Sequence, residues 1–164
     1  MLRRFSTSAL RPMSAENLEN LFPNLKQTGY AITSEEDVDY NCVAWAVGDS
    51  RKWWEPLPGL YWPPGIMKEY TLAAYARVFE IHGYAACDNP EFEPGYDKIA
   101  IFVDEAGAPS HATRQTTSGK WTSKIGELED IEHDCLSALE GEAYGTVAQI
   151  MKRLRRDHAG GKSD

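Results

Sequence analysis

The apolar positions of this chain fall in short blocks whose spacing changes along its length, and each block points to its own local structure. Leu18, Leu21 and Phe22 recur at helical spacing behind Ser14 and Glu16. That pattern predicts a short capped helix, stopped or bent by Pro23. Residues 26–39 read as a polar connector ending in Glu35, Glu36, Asp37 and Asp39. Acids there suit the positive end of a helix, and Cys42–Val47, with small residues at Ala44 and Ala46, is read as a short central helix ended by Gly48. Leu72, Tyr75, Ala76 and Phe79 mark a second helix over 71–79, with Gly83 as its stop.

Between these helices, residues 51–65 (RKWWEPLPGLYWPPG) carry four Pro, two Gly, three Trp and one Tyr. Prolines at that density exclude a regular helix or a central strand, so the segment is read as an ordered aromatic loop forming one lip of a cleft. Farther on, the runs at 98–103, 110–116 and 121–125 are separated by turn residues at 104–107 and 117–120. They predict a three-stranded antiparallel meander. Residues 129–139 and 143–155 are read as two helical segments parted by Gly141, with Lys152, Arg153, Arg155 and Arg156 near the last carbonyls. Helices first and antiparallel strands later give an α+β class.

A chain of 164 residues, 42% hydrophobic, can bury one real core. One domain over residues 14–156 is expected, behind a disordered basic start at 1–13 and ahead of a flexible tail at 157–164. The formal charge of -8 removes the broad basic surface that grips phosphate backbones, so nucleic acid is not expected as a partner. No apolar run approaches the roughly 20 residues needed to cross a bilayer, and no membrane association is expected. Three widely spaced cysteines without a CxxC argue against a disulfide framework or a thiolate zinc site, and reduced thiols fit a cytoplasmic protein. Asp130, Glu132 and His133 with His111 include metal-ligand residue types, but their spacing matches no ligand pattern. Neither a metal nor another cofactor is expected.

The residues that could carry chemistry are Cys42 and His111. A catalytic thiol acts as thiolate, and a helix N-terminus or a neighbouring imidazole lowers its pKa. Cys42 is predicted in the first turn of a buried helix, and His111 at the start of a strand able to lay its ring over that helix end. His111, Thr113 and Gln115 share one strand face by the period of two, with Ala112 and Arg114 on the other. The Cys42 backbone N–H, helped by Asn41 or Gln115, is the candidate oxyanion donor set. Ser123, Glu127 and Asp130 all remain open as the group that orients the imidazole. Trp53, Trp54, Trp62 and Trp121 complete the expected substrate wall. The competing assignment is a core cysteine and a hydrogen-bonded histidine, since free cysteine is among the most buried residue types. A cleft without a low-pKa thiol would then be a binding module for a peptide or protein.

The segments NCVAWAVGDSRKWWEP, YWPPG, EPGYDKIAIF, PSHATRQ, SGKWTSKIGELEDIEH and LEGEAYG resemble an uncharacterised domain family found in bacteria and some fungi, over most of the chain from Asp39 to Lys152. More distantly, cysteine at a helix start, then histidine on a strand, is similar to the papain-like superfamily, including transglutaminase-like proteins and cell-wall amidases. That resemblance implies a papain-like arrangement: a central helix bearing Cys42, packed on a small antiparallel sheet with flanking helices. It also implies a hydrolase or acyltransferase acting on an amide, ester or isopeptide bond, with Cys42 as nucleophile, His111 as base and Asp130 or Ser123 behind it. The chain departs from the transglutaminase pattern after Trp121, where Ser123 and Lys124 stand in place of the acid.

Overall fold

A computed structural model of the protein describes residues 15–156; the expected basic start and loose tail lie outside the described residues. The described residues form three short α-helices, α1 (Ala15–Leu21), α2 (Cys42–Val47) and α3 (Leu72–Glu80), and seven strands. The strands are β1 (Tyr30–Ile32), β2 (Ala85–Cys87), β3 (Tyr96–Val103), β4 (Pro109–Gln115), β5 (Trp121–Lys124), β6 (Asp130–His133) and β7 (Thr146–Leu154). They make one antiparallel sheet in the order β1-β6-β5-β4-β3-β7-β2.

This sheet corrects the papain-like arrangement: the protein is β-rich, and its helices are appendages to one large sheet. The meander runs at 98–103, 110–116 and 121–125 appear as β3, β4 and β5, but the two predicted C-terminal helices do not form. Residues 130–133 and 146–154 are strands, and only Leu136–Leu139 coils, as one 3-10 turn. The polar connector at 26–39 also hides a strand, β1. Three of the four cations assigned to a helix terminus instead neutralise acids on or beside the sheet. Lys152 Nζ lies 3.1 Å from Glu93, and Arg153 and Arg155 both reach Asp97, at 3.2 and 3.0 Å.

The sheet divides the interior in two. Ile101 pairs with Ala112, and both pack with Cys42, Val43, Val78, Phe79 and Met151 in a core covered by α2, α3 and the aromatic loop. One residue along, Phe102 pairs with His111, and Phe102 packs on the opposite face with Leu18, Phe22, Leu25, Leu139 and Tyr144. On that face the buried Lys98 ammonium donates to the carbonyls of Asn89 and Glu91, each at 2.6 Å, and pairs with Glu93 at 2.6 Å. A buried charge needs such compensation, and here it draws residues 89–93 over the sheet. Gly145 is required where β7 begins. Its φ is +73°, and a Cβ there would collide with the Val103 carbonyl.

Asn41 fixes α2. Its Oδ1 accepts from the Ala44 N–H at 3.2 Å and the Trp54 N–H at 3.1 Å, and its Nδ2 donates to the Trp54 carbonyl at 2.7 Å. One carboxamide thus caps the helix and satisfies both backbone groups of a loop residue. Asn41→Ala strips those partners from buried groups and should cost about 3 kcal/mol, read as a lowered urea midpoint with unchanged slope.

Candidate functional site

The residues expected to form one site fall on two sides of the sheet. On the α2 face, Cys42 is only 3% exposed and lies against the backbone of Ala112. Burial, helped by the nearby Glu55 charge and opposed by backbone N–H groups, pushes its thiol up to about 12. At neutral pH Cys42 is a neutral thiol inside an apolar cluster.

His111 lies on the opposite face. Its ring stacks on Tyr144, with centroids 4.2 Å apart and planes within 5°, and its edge meets Phe102 at 5.4 Å. Its Nε2 is 3.0 Å from Ser123 Oγ, while Nδ1 has no hydrogen-bond partner. Ser123 is therefore the group that orients this imidazole, and neither ring nitrogen bonds Cys42. The register explains the separation. Cys42 packs with Ala112, whose side chain leaves the strand on the face opposite to that of His111.

His133, on β6, completes a buried polar chain. Its Nδ1 faces the Cys135 carbonyl at 2.9 Å; a carbonyl only accepts, so Nδ1 carries a proton, and Nε2 lies 2.8 Å from Ser123 Oγ. Ser123 also contacts Thr113 Oγ1 at 2.7 Å, and Thr113 donates to the Thr122 carbonyl at 2.9 Å. Burial holds His133 down at about 4 and keeps His111 well below its ordinary value, where repulsion from a protonated His133 would lower it further. Both rings stay neutral. The chain ties β4, β5, β6 and the segment after β6 into one layer.

Asp130 is on the α2 face, away from His111. Its Oδ2 accepts from the Tyr40 hydroxyl at 2.7 Å, and burial raises its carboxyl. Across the ladder from it stands Lys124, whose ammonium donates to the Leu128 carbonyl and lies 5.0 Å from the Tyr40 ring. Gln115 donates to the carbonyls of Pro90 and Gly119 at 3.1 and 3.4 Å, and Trp121 is buried beside His133 in the register. Both therefore serve the His111 face rather than a cleft at Cys42. Among the described residues, no group of three or more His, Cys, Asp or Glu side chains could hold a metal ion.

The aromatic loop is a packed wall. Trp53, Trp54 and Trp62 are buried, and every indole N–H is taken: by Glu55 Oε1 at 2.9 Å, by Asp49 Oδ2 at 2.9 Å and by the Met67 carbonyl at 3.1 Å. Tyr70 donates to the other Glu55 oxygen at 2.6 Å. Above this framework the loop leaves apolar side chains outside, with Leu57 38% and Met67 70% exposed. Sequence reading did not single out Glu55, Tyr144 or the exposed Leu57 and Met67. The alternation at 130–133, apolar Ile131 between polar neighbours, was the available signal for His133 on a strand.

Residues 31–152 match the family described as a domain of unknown function, DUF7689. The chain belongs to this family. The matched span of the DUF7689 domain takes in every strand from β2 to β6, together with Asn41, Cys42, His111 and the aromatic loop. No curated protein and no solved structure matches the chain. No helix among the described residues is long and apolar enough to cross a membrane.

Two predictions follow from the protonation states in this DUF7689 domain. Iodoacetamide at pH 8 should leave Cys42 unmodified in the native protein and label it in urea, and His111→Ala should not slow its labelling. Peptide mass spectrometry reads both. For His133 the folded value of about 4 lies below the 6.5 of the unfolded chain, so on acidification the unfolded chain takes up a proton that the native state refuses. Stability should therefore fall as pH drops from about 7 to about 4, by about 3 kcal/mol for this group, and His111 acts in the same direction. Urea midpoints across that window check the sign, and His133→Gln should flatten the slope.

Proposed function

We propose that this domain is a non-catalytic module that binds a peptide or protein partner on its aromatic loop. The observation that carries the reading is the contrast within residues 53–67: tryptophans locked from below by Asp49, Glu55 and the Met67 carbonyl, with Leu57 and Met67 left in solvent. A surface already ordered loses little conformational entropy on binding, and exposed apolar side chains over a rigid base are what a partner can bury. The hydrolase alternative needs an accessible thiolate beside an imidazole. Here the thiol is buried and neutral, and the His111 ring is bonded to Ser123.

The test is selection of a phage-displayed library of random dodecapeptides on the immobilised protein, followed by affinity measurement of the winners. Binding should weaken about tenfold or more in the Leu57→Glu, Met67→Glu double variant and stay unchanged in Cys42→Ala, because only the former touches the exposed surface. Winners indifferent to the double variant, or lost with the thiol, would overturn the reading.

A further inference from the structure

We propose that Lys124 and Asp130 condense into an intramolecular amide, a covalent cross-link from β5 to β6 that closes over residues 125–129. The two residues are direct partners in the antiparallel ladder. Side chains so paired leave the sheet on the same face with Cβ atoms about 5 Å apart, a gap the lysine stem spans by turning its own torsions while the backbone stays still. Lys124 is 0% and Asp130 3% exposed, so neither group reaches water instead. The lysine nitrogen rests on the Leu128 carbonyl, inside the same turn, and lies 5.0 Å from the centroid of the Tyr40 ring. The Tyr40 hydroxyl in turn donates to Asp130 Oδ2 at 2.7 Å, and Asp130 Oδ1 has no hydrogen-bond partner. A simple buried ion pair would fill that oxygen with the ammonium. Here the ammonium bonds Leu128, and the carboxyl is left with one open side.

In water an ammonium and a carboxylate do not condense, because the protonated amine has no lone pair to attack with. Burial works against both charges: it lowers Lys124, opposed by Asp130 and other nearby acids, and it raises Asp130, opposed by the Tyr40 hydrogen bond and the Lys124 charge. Each group moves towards its neutral, reacting form, and the ladder holds the two at high effective concentration. The protonated carboxyl keeps its hydrogen on Oδ1, since Oδ2 accepts from Tyr40. The Lys124 amine attacks Cγ, and Tyr40 stabilises the negative charge that develops on Oδ2. The Oδ1 hydroxyl then leaves with one amine proton as water, which balances the step without an oxidant or a cofactor. Asp130 is also where the segment before α2 is held: the Thr33 N–H donates to its carbonyl, and its own N–H donates to Ser34 Oγ, both at 2.9 Å. The amide therefore ties β5, β6 and the approach to α2 at one covalent point.

The experiment weighs the full-length protein by denaturing mass spectrometry after storage, folded, at neutral pH, and maps its tryptic peptides. The chain should be about 18 Da, one water, lighter than its sequence requires. Trypsin should release residues 121–152 as a single peptide, uncut after Lys124, because an acylated lysine is not a trypsin site, and that peptide should give no fragment ions between residues 124 and 130. Lys124→Arg should keep its full mass. Asp130→Asn should lose about 17 Da, one ammonia, and arrive at the same product as the wild type. Wild-type protein of full mass that is cut after Lys124 would overturn the inference, and this measurement stands whether or not the variants fold. A loss of water that maps to any other pair of residues would overturn it as well.

Discussion

The Asn41 carboxamide is the joint on which the α2 side of the molecule depends. Three hydrogen bonds from one buried side chain hold the start of α2 and both backbone groups of Trp54. Helix and aromatic loop are thereby fixed to one another, although 13 residues of sequence separate the two partners. The loop cannot satisfy its own backbone in a regular element, because its prolines forbid one. Asn41 satisfies Trp54, the Trp54–Tyr61 bridge joins the two arms of the loop through their own backbone, and carboxylates hold its indoles. A rigid irregular surface follows from these bonds.

The sheet couples this side to the other. β3 and β4 supply Ile99, Ile101 and Ala112 to one core and Phe102 to the second, alternating residue by residue. Neither core can lose its strands without stripping the other, so the two should unfold together despite their different chemistry. That chemistry differs because the His111 face buries a continuous polar chain through Ser123 to His133, whereas the α2 face around Cys42 is apolar and aromatic. Polar groups on the one face are fixed by directional bonds. On the α2 face such bonds, at Asn41, Glu55 and Asp130, stand beside the apolar packing around Cys42.

Local chemistry was legible in the sequence wherever a single residue determines the backbone. Gly48 in the left-handed conformation after α2, Pro23 after α1 and the meander turns were all readable in this way. What the sequence hid was set by distant pairing. Residues 146–154 look helical alone, with cations gathered at their end, but those cations answer acids on and before β3, and β3 is their pairing partner. The candidate site failed at the same level. The period of two correctly put His111 and Gln115 on one strand face, and Ser123 does meet His111, but nothing local says on which side of the sheet α2 lies. That single unknown separates a Cys-His pair from a core cysteine and a structural histidine. The papain-like likeness rested on the order of residues along the chain, and order along the chain carries no information about faces.

The edges of the sheet bear on how such a domain can recognise anything. Strand addition requires a run of unpaired backbone groups, and here both edge strands are three residues long. β2 covers β7 only across residues 150–152, which would leave the earlier part of β7 open. There, however, the Val147 N–H is taken by the Glu140 carboxylate at 3.0 Å, and Gln149 donates to the Ile150 carbonyl at 2.8 Å. Side chains blunt the edge that the backbone leaves free. A partner adding a strand would have to displace these bonds before making its own, whereas a partner at the aromatic loop meets Leu57 and Met67 with nothing to displace but water. Recognition through side chains on a braced loop is therefore the cheaper route for this fold.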